Sequence, residues 1–347
     1  MNNADIIASL RTLAGGGEVE NAEFTDTLRK QGCLYLFSKL PPNEATRFEL
    51  LANKLAVKRR YKTCSNIFAA LENTQYAVIK GAVLSKRIYN NTAYRVSGDI
   101  DILISPKDAE YVKSALTEKG FIQGCVSGDK IVPYTRRELV FQKTFSHQLA
   151  AFVRRTDDKI CPFVNIDINT DIMWGESRVK TDMDAFLSQT VSGEIEGVAV
   201  KTLPPEEEFI SLCLHHYKDC NSIYLLSRRG LQLSHFCDIY YYVKNVPLDI
   251  SELKKKCDSL GVSDYIYYCV YHARELFGGD GIELFTDAFR SESGEALLNR
   301  FGLASDEYHV WPKPVTEYLF EGALSNTLDS MLSVKEKEKI RFNETMM

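Results

Sequence analysis

The spacing of apolar positions divides the chain into a helical start, an alternating middle and a helical end. Ala4 to Leu13 carries Ile6, Ile7, Leu10 and Leu13 on one helical face, and Gly15-Gly16-Gly17 closes it. The same period predicts a helix over Phe24 to Leu40 and another over Asn43 to Leu71, with Pro41-Pro42 as the break and Asn43 placed to cap the later one before Glu44. From Tyr76 the period changes. Tyr76 to Ile79 reads as a short strand, Lys80-Gly81 as a tight turn, and Val83, Leu84, Ile88 and Tyr89 as the inner face of a helix. After Asn90-Asn91-Thr92, Ile100, Ile102 and Ile104 alternate with Asp99 and Asp101, which predicts a strand with one apolar and one acidic face.

Further along, Pro106 to Lys119 reads as a helix with proline in its first turn and Gly120 as its stop. Phe121 to Cys125 is a predicted strand, followed by a polar loop through Asp129 and Lys130. Glu138 to Phe145 and Gln148 to Arg154 read as strands on either side of Ser146-His147. In Phe163 to Trp174, alternation places Asn165, Asp167, Asn169 and Asp171 on one face and Val164, Ile166, Ile168 and Ile172 on the other. A short helix over Val179 to Leu187 and a hairpin or loop over Val191 to Val200 lead to Thr202-Leu-Pro-Pro-Glu-Glu-Glu, a helix start with its acids at the favourable end. Helices continue from there: Phe209, Leu212, Cys213 and His216 share a face, and Leu231 to Val243 repeats the pattern. The division expected is a helical region over 1–74, an α/β unit over 75–200 and a helical domain over 201–347.

Composition narrows the class. The 347 residues are 45% hydrophobic and 26% charged, enough for a sizeable core in two or three units. A net charge of -5 provides no overall basic footprint, which counts against nucleic acid as a partner. No apolar run approaches a membrane span and the first residues lack the pattern of a signal peptide, so a cytoplasmic protein is expected. Nine scattered cysteines with no C-x-x-C pair suit a reducing compartment. His215, His216, Asp219 and Cys220 lie too close along one helix to supply more than two ligands to a structural metal, and core packing accounts for them. Tyr240-Tyr241-Tyr242 and the tyrosines of 265–271 offer a stacking surface for a base, but their helical spacing favours packing between helices.

The chemistry concentrates in Val78 to Ser105. Two carboxylates on one strand face repel each other, and such a pair is either solvated or bound to a hard divalent cation. Ser97-Gly98 lets the backbone approach closely just before the first of them, and a Gly-containing strand-to-helix turn lies upstream, of the kind that turns backbone N–H groups toward phosphate. The pattern K-G-x-x-L-x-x-x-x-Y followed by R-x-x-G-D-I-D-I-L-I resembles the bacterial nucleotidyltransferase-like family of the DNA polymerase beta superfamily. Lys80-Gly81 stands where the wider superfamily has Gly-Ser, while Arg95, Gly98, Asp99 and Asp101 fall on the subfamily motif.

The resemblance implies a mixed α+β sheet with flanking helices, and transfer of a nucleoside monophosphate from an NTP, ATP being the first candidate, with release of pyrophosphate. It implies Mg²⁺ or Mn²⁺ held by Asp99, Asp101 and a third acid, for which Asp167 is the choice. Lys80, Gly81, Arg95, Ser97 and Gly98 would face the nucleotide, with His147, Asn169 and Asp171 as neighbours of the site. The family pattern of acid, apolar residue, histidine and aromatic reads Asp167-Ile168-Asn169-Thr170 here, so two of its members are replaced. The acceptor expected is a small molecule, a peptide or a protein. Two other classes share these residues: a nucleotide-binding or regulatory protein without catalysis, and an RNA-directed transferase, which the acidic balance disfavours.

Overall fold

The periodicity at the start of the chain resolves into α1 (Asn3–Ala14), α2 (Ala22–Lys30) and α3 (Leu34–Phe37) in the computed structural model, which describes residues 1–41, 44–175, 177–303 and 308–346. The single helix expected over Phe24 to Leu40 is two, because Gly32 turns the chain at φ +67, outside helical conformation. The expected cap Asn43 lies outside the described residues. The chain forms two compact units, Asn43–Glu208 and Met1–Pro42 with Phe209–Met347. The first three helices therefore group with the C-terminal helices, whereas α4 (Glu44–Ala70) groups with the sheet.

In the sheet unit, β1 (Tyr76–Ile79), α5 (Gly81–Tyr89), β2 (Asp99–Ile104), α6 (Ala109–Glu118), β3 (Ile122–Ser127), β4 (Lys130–Pro133), α7 (Arg136–Phe145), β5 (Phe152–Arg155) and β6 (Phe163–Asn169) follow one another. The strands lie in the order β1-β2-β6-β5-β3-β4, with β1 antiparallel to β2 and β2 parallel to β6. One face is apolar. Val78, Ile100, Ile102, Ile104, Val164, Ile166 and Ile168 meet Val57, Tyr61, Cys64, Ile67 and Phe68 of α4 and Val112, Ala115 and Leu116 of α6 in a single core. Burying a side chain of this size stabilises by about 1.5–3 kcal/mol, so the core fixes the register, and the register fixes what the opposite face presents.

Two readings in this unit are corrected. Glu138 to Phe145 is helical, since Thr135 and Glu138 form a capping box that starts α7. The polar loop expected through Asp129 and Lys130 is a tight hairpin turn at Gly128-Asp129 joining β3 to β4, with Ser127 paired to Lys130. Past β6, α8 (Met183–Phe186) is capped by Asp182, and β7 (Val191–Ile195) and β8 (Val198–Thr202) make the expected hairpin.

The C-terminal helices are α9 (Pro205–Asn221), α10 (Ile223–Arg229), α11 (Leu233–Asn245), α12 (Ile250–Leu260), α13 (Ser263–Phe277) and α14 (Asp280–Phe289), followed by shorter segments. The tyrosine runs pack inside this unit: Tyr240 stacks on Phe277 at 4.8 Å and Tyr217 meets Tyr268 edge-on at 5.1 Å. Asp219 is buried beside Lys218 Nζ at 3.6 Å, His215 Nε2 at 3.5 Å and His235 Nε2 at 3.7 Å, with the Arg229 guanidinium donating to it. All nine cysteines are free thiols, and only Cys125 is exposed.

Candidate functional site

Gly81 opens α5 at φ +45, and a Cβ there would stand 3.0 Å from Ser97 Oγ, so the turn and the Ser97 loop approach as closely as glycine permits. Gly98 differs. A Cβ on it would meet nothing within 4 Å, so the close approach expected beside Asp99 belongs to Gly81 instead. Ser97 Oγ donates a shared hydrogen bond to Asp99 O at 2.8 Å and Asp99 Oδ1 at 3.0 Å, tying the loop to the first carboxylate. The loop is held from behind by Asn53 of α4, whose Nδ2 donates to Ala93 O at 2.7 Å and to Arg95 O at 3.2 Å.

Lys80 occupies a conformation that glycine would adopt at lower cost, φ +56 and ψ -155. Continued strand alternation would direct its side chain to the face of Val78, within the core. The positive φ reverses that direction. Ile79 pairs with Asp101 across β1 and β2, so Lys80 follows one residue past the level of that carboxylate, and its Nζ reaches Asp101 Oδ1 at 2.9 Å. Both side chains are largely buried, 11% and 9% exposed.

On the other side of β2, the parallel register sets Asp101 against Asp167 and Asp99 against Asn165. Residues level with each other on adjacent strands share a face, so Asp99, Asp101 and Asp167 belong to one surface. Asn169, 2% exposed, donates through Nδ2 to Asp101 Oδ1 at 3.3 Å and accepts at Oδ1 from Gln148 Nε2 at 2.7 Å. Asp101 thus ends a chain of contacts from Gln148 through Asn169, with Lys80 on the same oxygen. His147 stands beside the end of β6, where its carbonyl accepts from Thr170 N at 2.8 Å and Thr170 Oγ1 at 2.9 Å.

Asp171 is set apart from this surface. The strand stops at Asn169, and Asp171 Oδ1 accepts from Met173 N at 2.9 Å as the acceptor of a turn. Burial raises its pKa, against hydrogen bonds from Met173, Thr181 and Ile172. Three neighbours of the acids were not picked out from the sequence: Gln148, Asn165 and Tyr134. Asn165 had its signal, since it alternates with the core residues of β6, and its Oδ1 is buried with no hydrogen-bond partner among the described residues. The pKa of Tyr134 is raised first by burial and further by Cys125, Asp167 and Glu138, so its phenol lies within electrostatic range of the third acid. Nothing in the spacing of Tyr134 marks it.

A parallel strand pair thus carries D-x-D beside a third acid, with a Gly turn one strand away. Residues 29–278 match the family described as uncharacterised nucleotidyltransferase. The chain belongs to that family. Membership gives it nucleotidyltransferase activity in general terms and a nucleoside triphosphate as substrate. A search of curated proteins finds no match. No helix among the described residues of this nucleotidyltransferase is long and apolar enough to cross a membrane.

The carboxylates of Asp99, Asp101 and Asp167 and the orphaned Oδ1 of Asn165 are hard oxygen donors on paired strands, the donor type a divalent cation such as Mg²⁺ takes. As placed, no three His, Cys, Asp or Glu side chains among the described residues stand close enough together to hold a metal ion. The positive charge on Asp101 is the Lys80 ammonium. In donor type and register, though not in their spacing as placed, the residues suit such a cation, and the Lys80 ammonium stands on Asp101 in its place.

Proposed function

We propose that this family member transfers a nucleoside monophosphate from an NTP to an acceptor hydroxyl with release of pyrophosphate, using Asp99, Asp101 and Asp167 as ligands for Mg²⁺ or Mn²⁺. The observation that carries the reading is the parallel register of β2 and β6, which sets Asp101 level with Asp167 one strand from the Lys80-Gly81 turn. When bound, the cation would neutralise triphosphate charge and lower the pKa of the attacking hydroxyl. Asp167, level with Asp101, would orient that hydroxyl and take its proton.

The first N–H groups of α5 have no partner within the helix and stand where the chain leaves β1, so the triphosphate would lie along them. Gly81 keeps that approach free of a Cβ. Ser97, tied to Asp99, would hold the first carboxylate in place, and Lys80, with Arg95 of the same loop region, would meet charge on the leaving pyrophosphate. ATP is the first nucleotide to test, and the acceptor is a small molecule, peptide or protein.

The test is incubation with each α-labelled NTP, Mg²⁺ and a host lysate, followed by fractionation into small molecules, protein and RNA. Label in the protein or small-molecule fraction supports the reading. Label in RNA supports the RNA-directed alternative. Mg²⁺-dependent NTP binding with no pyrophosphate released marks a binding protein on this scaffold.

A further inference from the structure

We infer that Lys80 is a built-in counter-ion for the acid site, which neutralises Asp101 while no metal is bound and is exchanged for the divalent cation when nucleotide is loaded. The inference rests on the proposed metal-dependent reading and adds to it how the vacant site is kept stable and why cation and nucleotide should arrive together.

Three observations lead to it. First, a carboxylate 9% exposed and level with a second acid on the neighbouring strand is costly to hold charged without a compensating cation. The ammonium at 2.9 Å supplies that charge, and Asn169 supplies a hydrogen bond to the same oxygen. Second, the backbone at Lys80 adopts φ +56 and ψ -155, a conformation nearly confined to glycine. Of the two adjacent turn positions the chain places a long cationic side chain in this strained one, and the strain is what aims the side chain at the acid face. Third, the contact is made by Nζ alone, at the end of a four-carbon stem. Rotation about that stem frees Asp101 without moving β1 or β2.

The consequence is competition for one carboxylate. A divalent cation arriving alone must displace an ion pair that is already desolvated, which weakens its binding. A cation arriving with a triphosphate brings the displaced ammonium a new anionic partner beside the α5 N-terminus, so the exchange is favourable only when the nucleotide comes too. Lys80 would then make the site discriminate against free metal.

Mn²⁺ binding to the full-length protein without nucleotide, followed by electron paramagnetic resonance, tests this directly. Lys80→Met should bind Mn²⁺ about tenfold tighter than wild type, equivalent to about 1.4 kcal/mol, and Lys80→Arg, which keeps the charge, should stay near the wild-type value. Lys80→Gly removes charge and backbone strain together and should gain affinity as Met does, which separates the ammonium from the strain. In an Asp101→Asn background, Lys80→Met should change nothing. A thermal melt of metal-free Lys80→Met should fall below wild type and recover with Mn²⁺. Unchanged or weaker Mn²⁺ binding by Lys80→Met overturns the inference, and if the wild type still transfers nucleotide the proposed function survives it. Tighter Mn²⁺ binding with no transfer from any NTP leaves the ion exchange standing and removes the proposed function.

Discussion

Replacing Gly81 with alanine probes the turn at its tightest point. The substitution meets two costs that can be separated. At φ +45 an L-residue carries the left-handed penalty, about 1–2 kcal/mol. Its Cβ would also arrive 3.0 Å from Ser97 Oγ and 3.4 Å from Ser97 Cβ, closer than the hydroxyl can stay while keeping its bonds to Asp99. Shifting that hydroxyl forfeits a hydrogen bond to a charged group, about 1.5–3 kcal/mol, of which part is regained from water at this half-buried site. The total expected is about 2–4 kcal/mol, and for a unit of this size each kcal/mol lowers Tm by about 2–4 °C. Calorimetry of wild type, Gly81→Ala, Ser97→Ala and the double variant measures both parts. Alanine at 81 should cost less in the Ser97→Ala background by about 1 kcal/mol, the steric part, leaving the backbone part behind. A Gly81→Ala protein as stable as wild type would refute the turn geometry. Equal costs in the two backgrounds would refute the close approach of Ser97.

Other substitutions separate the acids and the buried network. Asp167→Asn should lose transfer while Asp171→Asn keeps most of it, because Asp171 is engaged in the turn at Met173; the opposite ranking of labelled product would move the third acid to Asp171. Lys80→Met should weaken affinity for a non-hydrolysable triphosphate with Mg²⁺, even as it tightens free Mn²⁺, and titration calorimetry showing equal nucleotide affinity for Lys, Arg and Met would remove Lys80 from the phosphates. In the C-terminal helices, burial lowers the pKa of His272 to about 4, partly offset by its hydrogen bond to the Leu298 carbonyl. A histidine depressed in the folded state contributes stability that is complete above its unfolded pKa of about 6.5 and is lost as pH falls through 4, on the order of 3 kcal/mol in all. His272→Gln should therefore flatten the Tm profile between pH 6.5 and 4; an unchanged slope would exclude His272 as its source. For Asp219, burial pushes the pKa up, but Lys218, His235, Arg229 and His216 outweigh it and hold the value at about 2. Its contribution is complete above about pH 4 and lost only as pH falls toward 2, so Asp219→Asn should lower Tm at pH 7 and lose that deficit at pH 2; a deficit that persists at pH 2 would show that the charge was not its cause.

What could be read from the sequence followed from how strongly each side chain is constrained. The alternation of β2 and β6 was legible because one face is fully apolar and packs on α4 and α6, so a slip of one residue would bury carboxylates in the core. The helix α7 was misread because Leu139, Val140 and Phe141 look strand-like, although Thr135 and Glu138 carried the capping signal and Val140 is exposed. The split at Gly32 was missed because apolar spacing continues across it, while the stop is a backbone conformation that spacing does not encode. For Lys80 the alternation of β1 points to the core face while the family resemblance points to the nucleotide, and one positive φ turns the side chain to the acid face. Gln148 and Tyr134 reach the site through β5–β6 neighbourhood and the β4–α7 connection, contacts between residues distant in the chain that no local pattern announces.

The central claim is that the acid face shared by β2 and β6 carries Mg²⁺-dependent nucleotidyl transfer. The most direct measurement is release of labelled pyrophosphate from γ-labelled NTP, with Mg²⁺ and host lysate, by wild type and by Asp101→Asn, both shown by circular dichroism to be folded. Wild type should release pyrophosphate only with divalent cation present, and Asp101→Asn should fall to background. Cation-independent release, or an Asp101→Asn protein as active as wild type, would contradict the claim.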